Sequence, residues 1–276
     1  MQILLGETRK LSFVKMMETL GWGRICTVQI PRPYPGEPWA FDNGAFGAWL
    51  KDLPFPEVQF LKRLDVAFKV GIPYFGVVPD LVAQGTKSLE FSLKWIDSLP
   101  MEWPWYLAVQ DGMTCQDVEP IIHQFDGIFL GGTNKFKETA PSWSKLAKDY
   151  DMPFHYGRAG TYKKLIHAYE CEADSIDSST PLFTSDRFTA FINLVTEEEM
   201  RKLHGNLTRK KVKDYIDNKR KDGIVACPFC NSTSIGMIDS DFWNLGNYLI
   251  DWLCENCGKM WRESYSILTI EELIKK

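Results

Sequence analysis

Four of the seven cysteines are arranged as two CxxC pairs, a spacing that is typical of metal sites. Cys227 and Cys230 form the first pair, and Cys254 and Cys257 form the second, with 23 residues between the pairs. Thiolates at positions i and i+3 of a tight turn can face one ion, and Gly258 helps the second turn to form. Two such pairs complete a closed tetrahedral site. The sequence therefore predicts a zinc ribbon whose Zn²⁺ is structural.

A second set of polar residues follows short apolar runs elsewhere in the chain. The set holds four acids, an amide, an arginine and a glycine pair: Asp42, Asp80, Gln110, Asp111, Gly131, Gly132, Arg158 and Asp177. If the runs are strands of a parallel barrel, these residues share the rim at the strand C-terminal ends, where barrel enzymes carry their active sites. Each of them alone would also serve as a helix cap. Together, the carboxylates suit glycosyl chemistry, in which one attacks an anomeric carbon and another moves protons.

Several other chemistries lack their sequence patterns. The chain has no GxGxxG or GxxxxGK[ST] phosphate loop and no GxSxG turn to present a serine nucleophile. No spacing of histidines and carboxylates indicates a catalytic metal. Of the four histidines only His155 falls within a strand-like run, and we interpret it as structural.

The elements that must position these residues alternate along the first two thirds of the chain. Short apolar runs, most of them next to Gly or Pro, predict buried strands at 3–5, 25–30, 39–41, 74–78, 105–109, 128–130, 154–156 and 175–177. Amphipathic patterns predict helices at 8–20, 58–70, 88–99, 116–124, 143–150 and 162–169. This alternation predicts a TIM-like (β/α)8 barrel over residues 1–197, with an open parallel sheet as the alternative.

The segment that follows the barrel is strongly basic. Residues 201–221 hold nine Lys or Arg and two Asp, so we expect a basic helical linker at 198–222 before the ribbon at 223–276. A cluster of cations in this linker is the best candidate for nucleic-acid contact: Arg209, Lys210, Lys211 and Lys213. A solvated spacer is the alternative interpretation.

Bulk properties exclude some classes of protein. A net charge of −4 argues against a uniformly basic nucleic-acid coat, and no apolar run is long enough to span a membrane. The N-terminus does not resemble a secretion signal, and the paired cysteines fit a reducing compartment. We therefore expect a cytoplasmic protein.

Five short motifs, in order along the barrel, resemble those of the tRNA-guanine transglycosylase superfamily. They are DNGAF at 42–46 (DSGGF/Y in the family), AVQDG at 108–112 (VQGG), FLGG at 129–132, HYGRAG at 155–160 (MGVG) and ADSIDS at 173–178, which is similar to GxDMFDC. The short barrel and the Gly157-Arg158 pair look most like the deazapurine DNA-modification transglycosylases (the DpdA family) of phages and bacteria. If a phage encodes the chain, the expected location is the host cytoplasm. Two features depart from the tRNA enzymes: Ala45 replaces a glycine, and a separate four-cysteine ribbon replaces their zinc site of three cysteines and a histidine.

The resemblance implies a reaction and a role for each rim residue. Asp177 would displace guanine from C1′ as the nucleophile, and Asp42 would take the N9 proton of an incoming 7-deazaguanine such as 7-cyano-7-deazaguanine (preQ0). The implied base-binding residues are Asn43, Asp80, Gln110, Gly131, Gly132 and Arg158. The implied partners are DNA and a free 7-deazaguanine base, without a catalytic metal or redox cofactor; an oligomer is compatible with the sequence.

Three alternatives remain open at this point. The chain resembles enzymes that act on tRNA nearly as well, and a labelled base entering tRNA instead of DNA would distinguish the two. A barrel hydrolase of small glycosides or phosphoesters would turn over without an exchangeable base. A non-catalytic nucleic-acid-binding protein would use the ribbon alone, although Asp42 and Asp177 speak against this.

Overall fold

The computed structural model describes residues 1–27, 36–204, 226–243 and 247–266. It divides into two compact units, Met1–Thr189 and Ala190–Lys276. The first unit contains the barrel and the second contains the cysteine ribbon, and each is described by itself below.

Eight parallel strands close into a barrel in the order of the sequence, with β1 paired to both β2 and β8. Their bounds are β1 (Gln2–Leu5), β2 (Gly23–Cys26), β3 (Trp39–Phe41), β4 (Phe75–Val77), β5 (Trp105–Val109), β6 (Gly127–Leu130), β7 (Phe154–Tyr156) and β8 (Ser175–Ser178). The predicted TIM-like barrel is therefore confirmed, and the open sheet is wrong. Although β1 is short and only weakly patterned, it pairs over its full length with β8 and so closes the barrel.

Helices follow the strands around the barrel. Their bounds are α1 (Leu11–Leu20), α2 (Ala45–Trp49), α3 (Glu57–Phe68), α4 (Thr86–Ile96), α5 (Cys115–Val118), α6 (Asn134–Lys137), α7 (Ala140–Asp149), α8 (Tyr162–Glu170) and α9 (Ser185–His204). The helix predicted at 116–124 is wrong in type, because α5 passes into a 3₁₀ helix at Glu119–Gln124. Pro120 has no N–H with which to continue an α-helical ladder. The strand predicted at 25–30 ends at Cys26 in β2, and residues 28–30 lie outside the described ranges.

The barrel interior is filled by side chains from alternate positions of the strands. Leu4, Ile25, Phe75 and Tyr106 belong to one buried apolar cluster, with the Phe129 ring packed against it. The Phe75 and Tyr106 rings stack with centroids 4.4 Å apart. Such packing makes the barrel centre a core and leaves its rim to carry polar groups.

Helix α9 crosses the predicted barrel boundary at residue 197, since it runs from Ser185 to His204, and the division between the two units falls within it. The predicted linker overlaps the end of α9. Its remaining residues, 205–222, lie outside the described ranges, so its helical character there stays a prediction.

The second unit contains a three-stranded antiparallel sheet. Its strands are β9 (Ile235–Trp243), β10 (Asn247–Cys254) and β11 (Met260–Ser266), with β10 in the centre. Tight turns at the two CxxC pairs flank this sheet, as the ribbon interpretation predicted. Gly258 has a φ of 69° directly after the second pair, a conformation that glycine adopts without steric cost.

Candidate active site and metal centre

The predicted rim residues lie at or just beyond the C-terminal ends of consecutive strands. Asp42 follows β3, Gln110 follows β5 and Gly131 follows β6, while Asp177 is the third residue of β8. Because the barrel is closed and all its strands are parallel, these ends meet on one rim. The structure thus assembles the strand-end set that the sequence predicted.

One oxygen of the Asp177 carboxylate is held by two donors. His155 Nε2 lies 3.1 Å from Asp177 Oδ1, and the backbone N–H of Arg158 donates to the same oxygen over 2.9 Å. No hydrogen bond to Oδ2 is found within the described part of the chain. Asp177 is only 8% exposed, and its free oxygen is the one available to react.

His155 lies fully buried beside the nucleophile candidate. Its ring stacks on Phe129 at 4.6 Å and packs against Phe75 at 4.8 Å, while Nδ1 lies 2.8 Å from Ser175 Oγ. An ionised carboxylate only accepts hydrogen bonds, so we assign the proton of a neutral His155 to Nε2, and Nδ1 then accepts from the Ser175 hydroxyl. Its packing fits the structural role expected from the sequence, but the side chain also contacts Asp177.

The surroundings of Asp177 favour its charged form. Burial by itself raises the pKa of this carboxyl, but the His155 hydrogen bond and the Arg158 N–H outweigh it, and the Lys137 ammonium adds to their effect. The net result is a pKa below the ordinary value for aspartate. Burial also lowers the pKa of His155, which favours its neutral form.

Asp42 is shifted in the opposite direction. Burial raises its pKa, the Gly44 N–H and Arg63 oppose the shift, and the charge of Asp177 adds to it, so that the resulting pKa is about 6. The Gly44 N–H donates to Asp42 Oδ1 over 2.6 Å. From α3, Arg63 donates to the backbone carbonyls of Cys26 (2.8 Å) and Asp42 (2.9 Å) and so ties the end of β2 to the end of β3.

Asp80 is the centre of a buried hydrogen-bond network. Asn43 Nδ2 donates to Asp80 Oδ1 over 2.7 Å, and Gln110 Nε2 donates to Asp80 Oδ2 over 2.8 Å. The second amide hydrogens of Asn43 and Gln110 go to Val78 O (2.8 Å) and Ser88 Oγ (2.9 Å). Both amides therefore use their N–H donors in hydrogen bonds within the protein, and these bonds position Asp80. Burial raises the pKa of Asp80 to about 6 despite these hydrogen bonds.

The Gly131–Gly132 loop is held on both sides. The Gly131 N–H donates to Val109 O over 2.9 Å, and the Arg158 guanidinium donates to Gly132 O. Gly132 has a φ of 72°, and a Cβ atom there would lie 2.8 Å from Asp111 Oδ2. Asp111 in turn accepts from the backbone N–H (2.7 Å) and hydroxyl (2.6 Å) of Thr133, the N-cap residue of α6.

Arg158 and an aromatic pair lie at the same rim. The Arg158 guanidinium lies over the Phe46 ring at 4.5 Å, and Phe46 stacks on Trp49 with centroids 5.8 Å apart. A cavity of about 390 Å³ opens beside Asp80, and its apolar walls include Trp49 and Phe55. This volume falls in the range of small-molecule sites, and a planar ring is the shape that aromatic walls favour.

The four predicted metal ligands converge in the second unit. The sulfur atoms of Cys227, Cys230, Cys254 and Cys257 all lie within 4.8 Å of one another. The Cys227–Cys257 and Cys230–Cys254 Sγ pairs are 3.7 Å and 3.6 Å apart. Four sulfurs at about 2.3 Å from a tetrahedral ion stand roughly 3.8 Å from each other, so this cluster can hold a metal ion.

The predicted nucleic-acid contacts Arg209, Lys210, Lys211 and Lys213 lie outside the described residues. Among the helices in the described ranges, none has both the length and the apolar character that a membrane-spanning helix needs. No protein-family model matches the chain, and no curated protein matches it.

Three side chains of the site were missed or undervalued at the sequence level. The sequence pattern predicts a structural role for His155, and it predicts no role in the site for Ser175 or Lys137. A signal existed for the first two, because Ser175 and Asp177 alternate on β8 and a buried three-residue strand with a central histidine is unusual. The parallel register that pairs His155 with Ser175 is what brings the two strands' polar groups together. Lys137 gave no signal, since it sits in a run that resembles an exposed helix.

Proposed function

We propose that this chain is a base-exchange transglycosylase that replaces guanine in DNA by a 7-deazaguanine of the preQ0 type. The observation that carries the proposal is the opposite state of two aspartates on one rim. Asp177 Oδ1 lies within hydrogen-bond distance of His155 Nε2 and the Arg158 N–H, which lower the pKa of this carboxyl, while the pKa of Asp42 is raised to about 6. Substitution at C1′ with retention needs one charged nucleophile and one group that exchanges a proton near neutral pH.

In the first half of the reaction, Asp177 Oδ2 attacks C1′ of the target nucleotide. The C1′–N9 bond breaks, its electron pair leaves with the guanine ring, and protonated Asp42 supplies the proton that makes the leaving base neutral. The products are a glycosyl ester of Asp177, free guanine and ionised Asp42. The target base must first leave the helical stack or come from a single strand.

In the second half, the deazaguanine enters and the cycle closes. Esterified Asp177 has lost the charge that raised the pKa of Asp42, so Asp42 is ionised more readily and can take the N9 proton. N9 then attacks C1′ and the Asp177 carboxylate leaves. Two inversions give net retention, and both aspartates return to their starting states.

Base recognition is assigned to the neighbouring side of the rim. Asp80 keeps acceptor capacity beyond its two internal hydrogen bonds, and a carboxyl group suits the N–H edge of guanine. Asn43 and Gln110 act by holding Asp80 rather than by touching the base, because their amide hydrogens are already used. Contact with the glycine loop falls to Gly132, since the Gly131 N–H is bonded to Val109.

Base exchange can be tested with the purified chain. Isotope-labelled preQ0 is offered together with duplex DNA, single-stranded DNA or tRNA, and the nucleosides are then analysed by mass spectrometry. We expect label in DNA and one guanine released for each base incorporated. Label in tRNA alone would replace DNA by tRNA as the substrate. No label and no released guanine with any polymer would overturn the transglycosylase.

We further propose that the cysteine cluster holds one structural Zn²⁺. Four thiolates fill a tetrahedral shell and leave no position for substrate, and zinc prefers this donor set. Metal analysis should find one zinc per chain, and Cys254→Ser or chelation should unfold the ribbon while the helical circular dichroism of the barrel remains. A purified protein without tightly held zinc would contradict the assignment.

The basic segment at 201–221 is proposed as the phosphate-binding surface. Each phosphate contact on duplex DNA makes the slope of log affinity against log salt more negative by about 0.9. Neutralising Arg209, Lys210, Lys211 and Lys213 together should flatten that slope and leave exchange at saturating DNA nearly unchanged. An unchanged slope would make the segment a solvated spacer.

A further inference from the structure

Lys137 is a buried lysine that the reaction described above does not use. It is the last residue of α6, and only 2% of its surface is exposed. Its Nζ donates to Leu130 O over 3.0 Å and to Gly157 O, and lies 4.5 Å from the centroid of the Tyr156 ring. An ammonium group has three N–H donors, so two carbonyls and one aromatic face account for all of them.

The two carbonyls belong to strand ends that carry the rim. Leu130 precedes the Gly131–Gly132 loop at the end of β6, and Gly157 precedes Arg158 at the end of β7. Lys137 therefore links the backbones of two neighbouring rim loops. A buried cation is costly unless nearby groups compensate its charge. The charged form of Lys137 must therefore be favoured by an interaction in addition to its hydrogen bonds with the two carbonyls.

The Gly157–Arg158 peptide group connects Lys137 directly to Asp177. Its carbonyl accepts from Lys137 Nζ, and its N–H donates to Asp177 Oδ1 over 2.9 Å. Arg158 adopts a φ of 54°, which is uncommon for a residue other than glycine. A cation at the carbonyl end polarises the amide, and its N–H then becomes a stronger donor to the carboxylate.

We propose that Lys137 is a positioning residue for the base exchange proposed above: through the Gly157–Arg158 peptide, its ammonium holds the Asp177 carboxylate charged and anchored by Oδ1, so that Oδ2 is left to react. The inference rests on the proposed function for its catalytic consequence. The contact between Lys137, the peptide group and Asp177 does not depend on it.

Other charged groups around this pair act in both directions. Burial lowers the pKa of Lys137, the charges of Asp177 and Asp111 oppose this shift, and Arg158 and Lys164 add to it, so that the resulting pKa is about 7. Asp177 faces His155 from β7 and also interacts with Asp42 beyond β3. Of these groups, Lys137 and Arg158 alone share the Gly157–Arg158 peptide with Asp177.

The test compares Lys137→Met, Lys137→Arg and the surface control Lys145→Met. Lys145 lies on α7, is exposed and pairs with Asp149. The Asp177 carboxyl is titrated by ¹³C NMR, and the pH dependence of covalent capture of DNA is measured in parallel. We expect Lys137→Met to raise the Asp177 pKa and to move the acid limb of capture up by about one pH unit, a tenfold loss below that limb. Lys137→Arg should recover part of this shift, and Lys145→Met should match the wild type.

A folded Lys137→Met variant with an unchanged Asp177 titration and acid limb would overturn the proposal and leave Lys137 as a structural link between β6 and β7. If that variant does not fold, a titration of the wild-type protein tests the proposal instead. The ¹³Cε resonance of Lys137 must then show an inflection where Asp177 titrates, because coupled groups report each other's protonation. Its absence would count against the proposal. A wild type that never exchanges bases removes the proposed function, but the NMR titration still tests the Lys137–Asp177 contact.

Discussion

On the two sides of the barrel rim, the pKa values of aspartate side chains are shifted in opposite directions. On the β7–β8 side, Asp177 receives a histidine N–H, a backbone N–H and the field of a buried lysine, and its pKa is lowered. On the β3–β4 side, Asp80 is buried and Asp42 is half-buried, each with fewer compensating charges, and the pKa of each rises to about 6. Burial acts on all three carboxyl groups, so their partners decide which remain charged.

The difference also separates rigid from adjustable roles. Asp177 is fixed through one oxygen with the other left open, as a nucleophile requires. Asp42 has a pKa near neutrality and senses the charge of Asp177, as a proton carrier requires. Variants that change one side only should therefore have distinct kinetic signatures.

The largest effect is expected for Asp177→Asn. The amide cannot form the glycosyl ester, so base exchange should fall by about a thousandfold or more while the fold is retained. Incorporation of labelled base and denaturing gels for covalent capture measure this, with Asp149→Asn on the outer helix α7 as the matched control. Near-normal exchange by Asp177→Asn would remove Asp177 from the nucleophile role.

Asp42→Asn should leave the two half-reactions unequal. Guanine that departs as an anion can be protonated by water, so covalent capture should persist, whereas incorporation should fall by about a hundredfold or more without a base for the N9 proton. Raising the pH ionises the incoming base in solution and should partly restore incorporation. A variant that incorporates base like the wild type would reduce Asp42 to a loop residue.

Removing the His155 contact should have a smaller effect. His155→Leu fits between Phe75 and Phe129 but donates nothing to Asp177, so we expect about a tenfold loss of capture and a raised Asp177 pKa. His155→Gln keeps a donor and should recover part of the loss. Equal rates for the Leu and Gln variants, both folded by circular dichroism, would assign His155 to packing alone.

The smallest effect is expected from pH in the wild type. The pKa of Asp42 is raised, so its proton is held below about pH 6 and lost above it. The protonated form assists capture, which should therefore decline by about twofold as the pH rises through 6, no further than to the rate that Asp42→Asn retains. Incorporation from the captured ester needs ionised Asp42 and should therefore rise with pH. Its midpoint should lie at a lower pH, because Asp177 carries no charge once it is esterified. Parallel slopes for both half-reactions would separate Asp42 from proton transfer.

Much of the architecture followed from local patterns. Short runs, most of them apolar and next to Gly or Pro, predicted all eight barrel strands, because strands buried on both faces are mostly apolar. The strand-end rule then located Asp42, Asp80, Gln110 and Asp177 without any coordinates. The CxxC spacing alone located the metal cluster, since two thiolates three residues apart need only a tight turn to meet.

The tertiary structure decided what each of these residues can do. Asn43 and Gln110 were expected to bind the base, yet their amide hydrogens are spent on Asp80 and its neighbours, which only the juxtaposition of β3, β4 and β5 could determine. His155 and Lys137 gained their importance from strands and loops distant in sequence. Which residues reach the rim depends on strand periodicity, and that can be read from the sequence. Their protonation and hydrogen-bond partners depend on burial and on contacts between strands, and these exist only once the barrel has closed.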